Sequence, residues 1–288
     1  MARHGAPGWR TLVMAMSMGL CGVTGQVMAG APAGDGAPVC WSAPDDVRLA
    51  VMGVTGQGAL LLAGGAVARL AWLDTPEPWL PARKAALEQL LGGAGAPPSE
   101  IRARNGGAHD RWGGFGVVAD VAVARGDAKE PCVNVQAWLL GQGLARLRPE
   151  SANEPAPAGL QAWRKAEAAA RAARLALWAD PAYAPLPADL PQAILRREGR
   201  FVIVEGAVTS INERPGLTWL NFGSRWSEDM TVSAPARIWR MVKRSGLTVA
   251  RLQGRVVRVR GIVESRGGPM IELASPAELE IAETGSRP

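Results

Sequence analysis

The segment Arg69-Leu-Ala-Trp-Leu-Asp-Thr-Pro-Glu77 joins an apolar stretch to an abrupt stop, and it organises the first half of the chain. Its apolar part completes a region of short hydrophobic runs that predicts two strands, Val47–Val54 and Ala59–Leu73. The strand must end at Asp74, because the prolines that follow lack an amide hydrogen and restrict the residue before them. Pro81 then favours a first helical turn, so we predict a helix over Ala82–Leu91.

The rest of the first half alternates between strand and helix patterns. We predict a strand at Val117–Val123, a helix at Val133–Leu140, and an Ala-rich helix at Leu160–Trp178. Residues 180–191 are rich in proline and indicate a domain boundary.

After that boundary the sequence changes to a period of two. Phe201–Ser210 alternates as a half-buried strand does, and four more strand-like runs follow, at Thr218–Phe222, Met230–Ser233, Arg255–Val263 and Met270–Leu273. One helix is predicted after the third strand, at about Ala236–Lys243. This order is typical of a small Greek-key barrel such as the oligonucleotide/oligosaccharide-binding (OB) fold, with a generic β-sandwich as the alternative. The predicted fold class is therefore α+β, mainly β.

Four sequence blocks in order resemble the thermonuclease family. They are Arg69–Glu77, the Asp110-Arg111-Trp112-Gly113 turn, the stretch Gln136–Ala145, and Glu167–Trp178 with its final Leu-Trp. The resemblance covers about residues 47–180 and implies a five-stranded OB-like barrel with helices.

The resemblance implies a catalytic site for phosphodiester hydrolysis. By match to the family motif, Arg69 would clamp the phosphate and Glu77 would act on the attacking water. Asp74 and the carbonyl of Thr75 would hold a calcium ion, a hard cation that prefers oxygen ligands.

Two members of the family motif are missing from this chain. Gly114 stands where the family has a second arginine, and Gln57 lies nearest to the position of a second calcium-binding aspartate. Fewer carboxylates weaken calcium binding. Loss of a preorganised donor costs about two to three powers of ten in rate. The expectation is a calcium-assisted nuclease of impaired efficiency, with a non-catalytic module that binds nucleic acid or protein, or an envelope interaction protein, as alternatives.

The second half offers candidate contacts for DNA or RNA. Trp219, Arg225 and Trp226 lie along one hairpin-like stretch, where aromatic and guanidinium groups can stack on bases. Arg258 and Arg260 lie in a run that alternates basic and apolar residues and predicts a strand with one basic face. Residues 190–288 carry 15 Lys/Arg against 10 Asp/Glu, whereas residues 36–189 are balanced at 15 each. Core packing of Trp219 and ordinary solvated charge are the alternatives.

The N-terminus has the pattern of a secretory signal. Arg3 and Arg10 precede an apolar run, and Ala29-Gly30-Ala31 offers a cleavage site. We predict a signal peptide at 1–31, a flexible tail at 32–46, the thermonuclease-like domain at 47–180, a Pro-rich linker at 181–195 and an OB-like domain at 196–284. The mature chain would be periplasmic or secreted, without a membrane span. In such an oxidising compartment Cys40 and Cys132 are a candidate disulfide.

Other catalytic classes lack their sequence signatures. The predicted mature chain has one histidine, His109, and no Gly-x-Ser-x-Gly, so a Ser–His–Asp hydrolase is not indicated. It also has no His-Glu-x-x-His, no Cys-x-x-Cys and no Gly-x-x-x-x-Gly-Lys phosphate loop.

Overall fold

Alternating apolar residues build a barrel from the strands of the first half of the chain. The computed structural model describes residues 47–92, 99–107, 114–122, 132–150, 156–225 and 228–282, which belong to one compact unit. The predicted signal peptide and tail lie outside these residues. The strands of this half are β1 (Val47–Val54), β2 (Leu60–Leu62), β3 (Val67–Leu70), β4 (Leu73–Asp74), β5 (Ser99–Gly107), β6 (Phe115–Ala122), β7 (Cys132–Asn134) and β8 (Arg146–Leu147).

Five of these strands form a closed ring. β1 pairs antiparallel with β2 and β5, β2 pairs with β3, and β5 pairs with β6. Parallel pairing of β3 with β6 closes the barrel, so the strand order around it is β1-β2-β3-β6-β5. A closed, mixed five-stranded barrel is compatible with an OB-like fold. The prediction of an α+β, mainly β protein that contains such a barrel is confirmed.

The barrel strand β5 is not predicted by the sequence pattern. Asn105-Gly106-Gly107 is typical of a turn and hides the strand end, although Ile101 and Ala103 alternate inward. Both of these side chains are buried in the barrel core, which shows how a short apolar alternation suffices when both neighbouring strands cover it.

The predicted strand Ala59–Leu73 is broken into three pieces, β2, β3 and β4. The last break lies at Trp72, whose backbone has a φ of 66°, in the left-handed region that side chains with a Cβ rarely adopt. Trp72 is fully buried, and its ring meets Trp163 edge-on at 6.4 Å between centroids. Its amide donates to Glu150 at 3.1 Å and its carbonyl accepts from the amide of Arg148 at 2.9 Å. The core contact and these two hydrogen bonds hold the turn.

Three helices cover the barrel: α1 (Leu80–Leu90), α2 (Val135–Gly141) and α3 (Leu160–Ala172). The Asn134 side chain caps α2 by accepting from the amide of Ala137, so this helix starts two residues later than predicted. Gln136 of α2 is buried and bonds to the backbone of β6, donating to Val117 O at 2.7 Å and accepting from Ala119 N at 3.1 Å. The predicted helix to Trp178 ends earlier, because Arg174 and Ala176 have positive φ and a 3-10 turn, Ala176–Ala179, carries Trp178.

The second half contains nine strands and three helices in its described residues. The strands are β9 (Leu186–Pro187), β10 (Phe201–Ala207), β11 (Ser210–Arg214), β12 (Leu217–Asn221), β13 (Thr231–Pro235), β14 (Val256–Ile262), β15 (Glu264–Ser265), β16 (Pro269–Glu272) and β17 (Leu279–Ile281). The helices are α4 (Pro191–Leu195), α5 (Ala236–Arg244) and α6 (Val249–Leu252). All five predicted strand regions and the predicted helix after the third strand are present.

Two sheets organise these strands. One has the order β17-β14-β10-β9 and the other β11-β12-β13-β16-β15, with β13 and β16 parallel. The segment predicted as a linker, 181–195, is packed against them: Val204 of β10 pairs with Leu186 of β9, and Ile194 of α4 is buried in the core of this half. No helix among the described residues is both long and apolar enough to cross a membrane.

A buried ion-pair network joins the two halves. Arg260 on β14 is 1% exposed and donates to both oxygens of Glu167 on α3, at 2.9 and 2.6 Å, and to Glu280 on β17 at 2.9 Å. Arg258 bonds to Glu205 at 2.6 Å and to Glu280 at 3.1 Å. Burial would lower the pKa of Arg260, but the two carboxylates outweigh it and raise the pKa. The Arg260 guanidinium therefore stays charged within this network, which we call the interface network.

Replacing Arg260 with methionine should destabilise the protein strongly. Arg260→Met leaves Glu167 buried without its bidentate partner and removes one of the three arginines around Glu280, a change that costs about 3–5 kcal/mol. Urea unfolding of the purified protein measures this loss. The matched control is Arg48→Met, which removes an exposed pair with Glu100 (2.8 Å) and should cost under about 1 kcal/mol. Equal losses for the two variants would contradict the role given to the interface network.

Candidate functional site

The four residues of the thermonuclease-like motif lie on β3, β4 and the turn that follows. Arg69 is on β3, Asp74 ends β4, and Glu77 begins the 3-10 turn Glu77–Trp79. Arg69 is half-exposed and donates to Glu150 at 2.9 Å. Glu77 is exposed, and its side chain makes no hydrogen bond to the described residues. Of the four residues, only Glu77 therefore has a side chain without a polar contact in the described structure.

Two arginines lie beside the carboxylate of Asp74. Arg146, directly opposite on β8, donates to Asp74 Oδ2 from Nε at 3.0 Å and from Nη2 at 2.5 Å. Arg148 Nη1 lies 3.8 Å from the other oxygen, Oδ1. The Arg146 guanidinium also lies over the rings of Tyr183 and Phe201, at 5.7 and 5.1 Å from their centroids. Both carboxylate oxygens of Asp74 thus face cations.

A buried arginine that the motif does not predict lies beneath Thr75. Arg83 of α1 is 5% exposed and donates from Nη1 to Thr75 Oγ1 at 3.0 Å, while that hydroxyl donates to Leu144 O at 3.0 Å. Burial lowers the pKa of Arg83 to about 10, with Asp74 opposing this effect and Arg69 adding to it. The Nε of Arg83 is buried without a hydrogen-bond partner in the described structure.

Gly58 makes room for this arginine. Its φ is +69°, and a Cβ built there would lie 2.9 Å from Arg83 Nε. The only sequence signal for the arrangement is the Gly56-Gln57-Gly58 turn, and nothing in it identifies α1 as the element that fills the space. The sequence motif therefore does not predict the buried position of Arg83.

The donor set does not fit a calcium ion. Calcium takes about six to eight oxygen ligands, including several carboxylates. Here Asp74 is paired with Arg146, Gln57 is exposed, and Arg83 brings a positive charge close to Thr75. Within the described part of the chain no three His, Cys, Asp or Glu side chains form a group that could hold a metal. The thermonuclease-like turn Asp110-Arg111-Trp112-Gly113 lies outside the described residues.

A different feature stands out on the second half, a cleft of about 1340 Å³ on the sheet β11-β12-β13-β16. Strand alternation produces its lining, because the inward neighbours Ile211, Leu220 and Val232 belong to the core. Two cross-strand rows face the cleft. They are Asn212, Trp219 and Ser233, and Ser210, Asn221, Thr231 and Met270.

The cleft floor is polar and incompletely hydrogen-bonded. Asn221 donates to Ser210 Oγ at 2.9 Å. The hydroxyl of Ser233 is buried and has no hydrogen-bond partner in the described residues. Half-buried Trp219 lies between these polar groups, so the predicted ligand-binding residue Trp219 lines a cleft and is not part of the core. Arg214 lines the cleft beside the β11–β12 turn, and Arg266 lines it beside the β15–β16 turn while pairing with Glu264 at 2.8 Å. Asp229 adds a carboxylate to the lining.

The remaining predicted contacts are dispersed. Arg225 is exposed and paired with Glu228 at 3.1 Å, and Trp226 lies outside the described residues. Arg258 and Arg260 are buried in the interface network, so the expected exposed basic face of β14 is wrong. One side of β14 packs in the core of the second half and the other lies against α3, and its arginines face carboxylates.

One of the two cysteines of the predicted disulfide lies in the described residues. Cys132 on β7 is disulfide-bonded. Cys40 lies outside the described residues, so the pairing of Cys40 with Cys132 stays a prediction.

Comparison with known proteins gives no family assignment. No protein-family model matches the chain, and no curated protein matches it. The resemblance to thermonucleases therefore rests on the sequence blocks alone, and the closed barrel is compatible with an OB-like fold.

The Asp74–Arg146 pair should act as a structural contact. Arg146→Met removes two charge-assisted hydrogen bonds to a half-buried carboxylate, and we expect a loss of about 1.5–3 kcal/mol in the free energy of unfolding. Arg69→Met, which breaks the more exposed pair with Glu150, should lose under about 1 kcal/mol. Chemical denaturation compares the two variants, and a loss no larger for Arg146 than for Arg69 would show that the pair is not structural.

Proposed function

We propose that the chain is a non-catalytic nucleic-acid-binding protein in which a thermonuclease-like barrel carries a second, OB-like barrel. The observation that carries the proposal is the cleft on β11-β12-β13, in which Trp219 lies beside the unpartnered hydroxyl of Ser233. OB folds bind oligonucleotides and oligosaccharides on this face, across their second and third strands.

The strand pairing supports an OB-like second barrel. β11 follows β10 after two residues and β15 follows β14 after one, so each pair acts as one bent strand shared between the two sheets. If each of these pairs counts as one strand, the second half has five strands: β10–β11, β12, β13, β14–β15 and β16. Their order around the barrel is first-second-third-fifth-fourth, and the first pairs with the fourth. The barrel of the first half has the same order.

Single-stranded nucleic acid suits the cleft better than a small metabolite. About 1340 Å³ exceeds the roughly 300–1,000 Å³ of typical small-molecule pockets. The Trp219 ring offers stacking to bases, and Arg214 and Arg266 line the same cleft and can pair with phosphates. Amide and hydroxyl groups on the floor can bond to base edges or sugars. Oligosaccharide shares the stacking and hydrogen bonding but brings no phosphate charge to the two arginines.

The first barrel supports a scaffold role in this proposal. The Asp74 carboxylate is bound to Arg146 and the Thr75 hydroxyl to Leu144 and Arg83, so the one carboxylate that the resemblance assigns to calcium serves the fold. The predicted signal peptide would place the protein in the periplasm or outside the cell.

Replacing Trp219 should weaken binding of single strands without unfolding the protein. Trp219→Ala removes one stacking platform, worth about 1–3 kcal/mol per base, so affinity for short poly-dT or poly-U should fall about tenfold to a hundredfold. Fluorescence anisotropy with labelled oligonucleotides measures it. The control is Met52→Ala, an exposed apolar residue on β1 outside the cleft.

Two results would overturn the nucleic-acid proposal. One is equal affinity for Trp219→Ala and the control. The other is saturable binding of an oligosaccharide, lost in Trp219→Ala, by a protein that ignores oligonucleotides.

Calcium should have no effect on nucleic acid incubated with the protein. We expect no cleavage of single-stranded DNA or RNA with calcium or with chelator, because the paired Asp74 leaves too few oxygen ligands. Gel assays should give identical results for the natural protein and Glu77→Gln. Calcium-dependent cleavage that disappears in Glu77→Gln would refute the non-catalytic proposal and restore the nuclease hypothesis.

A further inference from the structure

A second cavity, of about 400 Å³, lies where α3 meets the second half of the chain. Its lining includes five cationic side chains and a single carboxylate, Glu280 on β17. The cations are Arg164, Lys165 and Arg171 of α3, Arg251 of α6, and Arg258 of β14. We call this cavity the cationic pocket. It shares no residue with the Trp219 cleft.

The carboxylates near the cationic pocket are already used. Glu280 is approached by three guanidinium groups, those of Arg164 at 2.8 Å, Arg260 at 2.9 Å and Arg258 at 3.1 Å. Burial would raise the pKa of Glu280, but these charges outweigh it and hold the pKa at about 2. One permanently ionised carboxylate therefore serves three cations at this wall.

Among the partly buried arginines of the cationic pocket, Arg171 has the most distant carboxylate, and its guanidinium lies 5.8 Å from the centroid of the Trp178 ring. Its closest carboxylate oxygen, on Glu167, is 3.9 Å away, and that group is bonded to Arg260 at 2.6 Å. Its Nη1 is buried without a hydrogen-bond partner in the described residues. Burial lowers the pKa of Arg171, and the charge of Arg258 lowers it further. A buried cation without a bonded anion is unfavourable unless a ligand supplies one.

We propose that the cationic pocket binds the phosphate group of a small phosphorylated ligand, of the size of a mononucleotide. Guanidinium groups donate paired hydrogen bonds to phosphate oxygens, and a dianion would complete the hydrogen bonding of Arg171. Lys165 and Arg251 are exposed long side chains that can reach the same group. A volume of about 400 Å³ falls within the range of small-ligand pockets.

The rest of the ligand has an apolar wall to pack against. Leu247, Leu279 and Ile281 line the pocket opposite its charged residues on α3. A base or another flat organic group fits this surface, whereas inorganic phosphate would leave it bare. The phosphorylated organic ligand should therefore bind more tightly than phosphate alone.

Calorimetric titration of the purified protein with uridine 5′-monophosphate and with inorganic phosphate tests the proposal. We expect saturable binding of both, with the mononucleotide tighter. Arg251→Gln and Lys165→Gln should each weaken binding about tenfold, because each removes one charge-assisted contact. Both residues are exposed, so the fold should survive their loss. Arg171→Lys, which keeps the charge but loses the planar fork, should also weaken binding.

The matched controls separate this site from other basic surface. Arg240→Gln removes an exposed cation of α5 that does not line the cationic pocket, and it should leave affinity unchanged. Trp219→Ala should also leave it unchanged, which distinguishes this site from the cleft of the proposed function. The proposal is overturned by absence of saturable binding, by equal weakening in Arg240→Gln, or by phosphate binding as tightly as the mononucleotide.

Discussion

The interaction on which the structure depends is the buried contact between Arg260 and Glu167. It brings a strand of the second half against the last helix of the first. Both side chains are 1% exposed, so removing either partner leaves a buried group unpaired, which is costly. A purely apolar interface between the halves would slide or rotate more readily than one fixed by paired hydrogen bonds. Small clusters such as Ile203 with Leu177 and Trp178 complete the seam. The cationic pocket exists because this seam contains more arginine than carboxylate.

Much of the fold follows from local pattern. The strand pattern that begins at Phe201 and the proline stop after Asp74 each act within a few residues, and the structure has a strand at Phe201–Ala207 and another that ends at Asp74. Elements that depend on distant partners escape such reasoning. Strand β5 is defined by the two neighbours that cover Ile101 and Ala103, and the kink at Trp72 by a core contact with Trp163. Neither partner is visible from the local sequence.

The candidate sites show the same division in sharper form. Motif comparison finds Asp74 and Thr75, but the charge state of a site depends on which cations the fold brings beside it. Arg146 and Arg83 come from β8 and α1, and they bind the Asp74 carboxylate and the Thr75 hydroxyl. The reverse happened on β14, where alternation indicated an exposed basic face and α3 covered it. Trp219 lies on the cleft side of β12 because successive residues of a strand face opposite sides of the sheet.

The kink at Trp72 has a consequence for how this protein can vary. Its backbone favours glycine, asparagine or aspartate, whereas its buried surroundings require a large aromatic ring. A small residue relaxes the chain but empties the core, and another bulky residue keeps the strain while packing less well. Sequence drift at this position has no downhill step in either direction. Trp72 is thus subject to two incompatible requirements, one from its backbone conformation and one from the core, and a substitution can satisfy only one of them.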